Sequence, residues 1–198
     1  MEQEYQEIVL NGLLEAYKNA RENNKFVVFF DKTGGNCATF FHYKARLKDF
    51  NKEILKVSKG DKTKEAACEI IREGILWAAK VGDTLAINLD NLNIDFKNEW
   101  NFPEQQFDTG LLLNSKVFRE NENFKKMLKD GEDVDNDGNK GYYFIKKDYQ
   151  LVLIYQYVSD DHIKEVLANI PNTEDGFEVY KIKNAWGFLN LGVLGVLG

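Results

Sequence analysis

Histidine, cysteine and proline are scarce in this chain, with two of each among 198 residues. The two cysteines, Cys37 and Cys68, lack the spacing of a disulfide framework or a zinc site and suit a reducing compartment. A basic excess is also missing: 26 Lys and Arg face 32 Asp and Glu, for a net charge of −6. That balance argues against nucleic acid as a partner. No apolar run reaches the length of a membrane span. The opening MEQEYQEIVL lacks the basic-then-apolar order of a signal peptide. The expectation is a cytoplasmic protein with no membrane span and no nucleic-acid partner. No internal repeat or disordered linker is evident.

What is present is ample core material: 43% of residues are hydrophobic and 13% aromatic. The pattern centres on Phe26 to Phe41, FVVFFDKTGGNCATFF. Five apolar residues run into Asp31, as in a strand covered on both faces. A Gly-Gly turn and a helix start follow, the arrangement in which α/β proteins hold phosphates. Around it, the periodicity predicts an amphipathic helix over 3–21, a helix over 38–50 and a short strand over 53–58. A long helix is predicted over 62–80, stopped by Gly82, and then a buried strand over 84–89 ending in Asp90. Residues 91–117 are less regular. A helix over 118–128, a polar turn from Gly131 to Gly141 and a strand over 142–145 come next. A strong strand over 150–157, a helix over 160–167 capped by Ser159 and a strand over 177–182 complete the series. Alternating strands and helices predict an α/β fold: three layers, with a mostly parallel sheet. The expected organisation is an N-terminal helix within 1–24, an α/β domain over 25–183, and an apolar, Gly-rich tail over 184–198.

This order resembles the large subdomain of an AAA+ P-loop ATPase, with dynein-type modules the nearest in flavour. FVVFF and DKTGGNCAT stand at the first strand and phosphate loop. EILKVS resembles the second strand, LAINLD the Walker B strand, and QLVLIYQY the strand carrying the sensor residue. The resemblance spans about residues 22–183 and implies a P-loop NTPase-like domain. It also implies Mg-nucleotide as the natural cofactor and a cytoskeletal or axonemal (ciliary) assembly of other protein chains as a home. The departures are specific. Asn36, Cys37 and Ala38 occupy the places of the phosphate-loop Gly, Lys and Thr. Asn91 replaces the Glu after Walker B Asp90, and Asn cannot act as a base toward water. No arginine finger is evident, and the 15 residues after Lys183 leave no room for a helical lid. The reading is a degenerate, non-hydrolysing module for protein interaction, with no catalytic residue assigned.

Alternatives stay open at three places. Lys32, Gly34, Gly35, Asn36 and Thr39, with Asp90 as a Mg²⁺ ligand, would form a residual nucleotide site; otherwise the loop is a tight turn using glycine at positive φ, and Asp90 caps a turn. Asp133, Asp135 and Asp137 copy the first half of an EF-hand loop and would form a weak Ca²⁺ site. The bidentate Glu position, however, falls on Phe144, and a solvated hairpin tip is the simpler reading. Cys37 and His42 would need a third group to make a thiol enzyme, and Cys37 reads better as core filler. In the tail, Trp186, Phe188 and Leu189 are the candidate contacts with another chain.

Overall fold

The structure, a computed structural model, describes residues 5–184 except Asn136 and Tyr142. One sheet organises them. Its strands are β1 (Gln6–Val9), β2 (Phe26–Asp31), β3 (Arg46–Asp49), β4 (Thr84–Asp90), β5 (Gln150–Gln156) and β6 (Phe177–Lys183). Their spatial order is β1-β6-β2-β5-β4-β3, and every pairing is parallel. The predicted α/β three-layer class holds.

The helices are α1 (Leu13–Glu22), α2 (Asn36–Lys44), α3 (Phe50–Ser58), α4 (Lys64–Val81), α5 (Thr109–Leu112), α6 (Asn121–Lys126), α7 (Asp160–Asn169) and α8 (Thr173–Gly176). Alternation along β2 divides the core between the two faces. Val27 and Phe29 pack with Leu13, Ala16 and Ala20 of α1 and with Cys37 and Phe41 of α2. Phe26, Val28 and Phe30 face α3, α4 and α7 together with the irregular segment that carries Phe96, Trp100 and Phe107. No described helix is long and apolar enough to cross a membrane.

Four predicted elements are corrected. Residues 6–9 are not helical; they add to the sheet beside β6 (Glu7 opposite Lys181, Ile8 opposite Ile182), and the helix starts at Leu13. Glu7 is held there by Lys183 and Lys181. The helix predicted over 38–50 ends at Lys44, and Arg46–Asp49 forms an edge strand. EILKVS is the body of α3, not a strand. Phe50 is buried, and Ile54 and Val57 pack on the same core while Leu55 faces out, which is helical spacing. Over 142–145 no strand forms among the described residues; the turn is closed instead by a single bridge between Val134 and Lys140.

The long helix is as predicted. Thr63 caps it by accepting from the Ala66 N–H, and Gly82 ends it at φ 78°. Buried Arg72 on α4 pins the segment after α6. Its guanidinium donates to both oxygens of Glu69 and of Glu132 and to the Met127 carbonyl, at 2.6–2.8 Å. Ser159 caps α7, accepting from the His162 N–H.

Candidate functional site

In an open parallel sheet, ligands bind where adjacent strands send their connections to opposite faces. Here β2 leads into α2 on one face, and its neighbour β5 leads into α7 on the other. The crevice therefore lies between the loop after Asp31 and the loop after Gln156, which is where the phosphate-loop reading places its residues. Asp90 ends β4, one strand beyond β5, at about 10 Å from β2 by ordinary strand spacing.

The loop is folded around its own acid. Asp31 is 1% exposed. One carboxylate oxygen accepts from the Thr33 N–H (2.7 Å) and hydroxyl (2.5 Å). The other accepts from the N–H groups of Gly35 (3.1 Å) and Cys37 (3.0 Å). Gly34 and Gly35, at φ 74° and 93°, turn those amides inward, a conformation that only glycine adopts without strain. Two loop amides, Thr33 and Gly35, and one amide of α2, Cys37, thus close on a carboxylate in the way such helix starts close on a phosphate. Gln156, with its amide turned to suit its neighbours, donates to the Asp31 carbonyl (3.3 Å) and accepts from Gly35 N–H (3.2 Å). The loop is further tied by Tyr157 N–H to the Asp31 carbonyl (2.9 Å) and by Lys32 N–H to the Ile182 carbonyl (3.1 Å).

The other predicted residues of this loop turn elsewhere. The Lys32 ammonium lies 4.4 Å from the centre of the Tyr157 ring. Lys181 approaches the same ring at 4.6 Å and pairs with Asp160 at 2.6 Å. The Asn36 amide donates to the Thr33 carbonyl (2.7 Å), and the Thr39 hydroxyl to the Gly35 carbonyl (3.0 Å). Cys37 is buried, and desolvation, with the Asp31 charge adding to it, pushes its thiol well above the usual range. Such a thiol is not a nucleophile at neutral pH. His42 is exposed beside the Tyr43 ring.

Asp90 sits at a bulge in β4 with φ 55°, a left-handed conformation that aspartate adopts more readily than most residues other than glycine. Its carboxylate accepts weakly from Asn51 (3.4 Å). Next to it, Asn88 accepts from the Asp90 N–H (3.3 Å) and donates to Asp49 (3.1 Å). Asp49 also pairs with Lys52 at 2.5 Å, and that bond first, with Asn88 assisting, holds its carboxyl below the usual range. Asn91 is exposed.

In the acidic turn, Asp135 organises the chain rather than facing outward. It accepts from the N–H groups of Asp137 (2.9 Å) and Asn139 (2.8 Å) and from the Asn139 side chain (2.9 Å). Those bonds, the Asn139 side chain first, hold its carboxyl below the usual range. Asp133 accepts from the Tyr143 N–H (3.3 Å). Among the described residues, no group of three or more His, Cys, Asp or Glu is placed to hold a metal. Trp186, Phe188 and Leu189 lie outside the described residues. Sequence reasoning missed two internal roles: Asp31 as the occupant of the loop, for which Asp-x-Thr was the available signal, and the Arg72 network, for which only the Glu69 spacing was visible. Comparison with family models, curated proteins and solved structures finds no match to this chain.

Proposed function

We propose that this chain is a non-catalytic structural or protein-interaction module on a P-loop-like α/β fold. The observation that carries this reading is the Asp31 carboxylate. It takes the backbone donors of Thr33, Gly35 and Cys37 that a phosphate would need. A γ-phosphate brought to this loop meets a buried carboxylate in place of those three N–H groups. The cation that would offset it, Lys32, lies against Tyr157. Strand neighbours support the AAA+ side of the reading: the Gly-Gly strand β2 adjoins the sensor-like strand β5, which adjoins β4 with its terminal Asp90. A place in a cytoskeletal or axonemal assembly belongs to the same proposal and rests on the dynein-type resemblance alone.

The test is thermal unfolding of the whole chain with and without Mg²⁺-ATP, Mg²⁺-ADP and Mg²⁺-GTP, repeated for Asp90→Ala. A ligand at 100 times its Kd adds about 2.7 kcal/mol, which is several degrees for a chain of this size. No shift is expected for any nucleotide. A saturable rise in the wild type overturns the proposal, and its loss in Asp90→Ala would assign Mg²⁺ to Asp90.

A further inference from the structure

The far side of the sheet ends in β3, whose outer edge pairs with no strand among the described residues. Three cations mark this edge: Lys44, Arg46 and Lys48. None has a carboxylate partner among the described residues, in a chain whose net charge is −6. Arg46 and Lys48 alternate onto the α4 side of the strand. The Arg46 guanidinium lies 4.4 Å from the centre of the Trp77 ring. The Lys48 stem runs past Gly74, where an added Cβ would stand 3.7 Å from its Cε. Trp77 and Val81, one turn apart on α4, are 41% and 54% exposed. Glu73, exposed and one turn before Trp77, is the carboxylate on that stripe of α4. Trp, Tyr and Arg dominate binding hot spots, and here Tyr43, 80% exposed, adds a third such side chain near the edge.

We propose that β3 and the Trp77–Val81 turn form a docking edge for an extended acidic segment of a partner protein, which adds as a strand beside β3. The reading rests on the non-catalytic function proposed above and names its surface. Strand addition supplies main-chain hydrogen bonds and reads alternate side chains. An incoming strand with acidic residues two apart sets both carboxylates against Arg46 and Lys48, and its apolar positions between them face Leu47. Charge also selects against a second copy. A two-fold contact pairs residues of the same face. Every register of Arg46–Asp49 on itself that pairs more than one residue then opposes Arg46 or Lys48 to another of these cations, and like charges directly opposite repel. Cations on an edge strand disfavour such self-pairing generally.

The test titrates isotope-labelled full-length chain with the capped peptide VEVEVEV, following backbone amides by NMR. Saturable shifts confined to residues 44–49 and 77–81 are expected, weakening with salt. The peptide VKVKVKV should bind at least tenfold more weakly. VEVPVEV, which keeps two of the acids but lacks the central N–H, should lose at least tenfold. Arg46→Glu with Lys48→Glu should lose at least tenfold, and the milder Arg46→Gln severalfold with an unchanged spectrum elsewhere. Absence of saturable binding, equal binding of the acidic and basic peptides, equal binding of the proline peptide, or shifts centred elsewhere each overturn the proposal. A nucleotide-induced stability gain alongside peptide binding would refute the non-catalytic reading and leave the docking edge standing. No gain with nucleotide and no peptide binding would refute the edge alone.

Discussion

Replacing Asp31 by Ala tests the central physical claim, that the loop after β2 is held by its own carboxylate. The substitution removes the acceptor for three backbone N–H groups, of which the bond from Cys37 is buried. One buried orphan donor, the Cys37 N–H, costs roughly 2 kcal/mol, and loss of the part-buried bonds from Thr33 and Gly35 about 0.5 kcal/mol each. Destabilisation of about 3 kcal/mol, seen by urea and thermal unfolding, corresponds to a midpoint lowered by roughly 6–12 °C for a chain of this size. The variant should then regain stability in inorganic phosphate or sulfate, because the emptied amides can donate to an anion. At ten times its Kd, such an anion returns about 1.4 kcal/mol. Sulfate also stabilises proteins non-specifically, so the readout is the difference between variant and wild type. Asp31→Asn should fall between the two, since it keeps one acceptor and turns an NH₂ toward the Gly35 and Cys37 amides. Equal anion responses in wild type and variant would mean that the donors are accessible beside Asp31, and the argument for a filled loop would fail. A cost below about 0.5 kcal/mol, the low end for a single hydrogen bond, would refute it as directly.

Arg72→Met should destabilise by roughly 3–5 kcal/mol in urea unfolding, the usual cost of removing one partner from a buried ion pair, because Glu69 and Glu132 both lose their guanidinium. Double replacement with Glu132→Gln should recover part of this. The Arg72 hydrogen bonds first, with Lys129 assisting, lower the Glu69 carboxyl from 4.5 to about 2. Its folded pKa lies below the unfolded value, so its contribution, about 3 kcal/mol at 1.36 kcal/mol per pKa step, is complete above pH 4.5 and lost as pH falls toward 2; the stability of Glu69→Gln should be flatter over that window. Desolvation pushes the Cys68 thiol up to about 12 and holds the Cys37 thiol well up, so a thiol reagent at pH 8 should label neither in the folded chain and both in urea; rapid labelling of Cys37 in the folded chain would refute its burial in the α2 core.

Much of the sheet could be read directly from the residues. β2, β4 and β5 are near-continuous apolar runs because helices cover both of their faces. α4 was visible through its length and its Gly82 stop. The errors fell where short-range pattern carries little information. β3 has one inward apolar residue, Leu47, and exists because Arg46–Asp49 pairs with Leu85–Asn88. The six residues EILKVS alternate like a strand when Phe50 is left out of the window, and Phe50 is the residue that makes the helical stripe. β1 is specified by long-range pairing with β6 and by Lys181 and Lys183, none of which is near it in sequence. At the candidate site, the Gly-Gly turn and its positive φ were legible. The destination of its amides was not, because their direction depends on the two glycines acting together around one buried side chain.

The polar groups at the carboxyl end of the sheet are largely engaged with one another. Asp31 binds its loop, Gln156 bonds across β2 and β5, Lys32 and Lys181 share Tyr157, and Asp49 links Lys52 to Asn88 beside Asp90. A ligand that uses these groups must break internal hydrogen bonds to gain its own, so its net gain there is only the difference between the two sets. Arg46 opens β3 and Trp77 lies in the last turns of α4 before β4, so both stand toward the opposite, amino end of the sheet. There the cations have no carboxylate to release and the aromatic rings are already part solvated. An acidic strand gains charge pairing and apolar burial without breaking an internal ion pair. The same fold that fills the loop after β2 with Asp31 therefore leaves the β3 edge with cations that no carboxylate holds among the described residues.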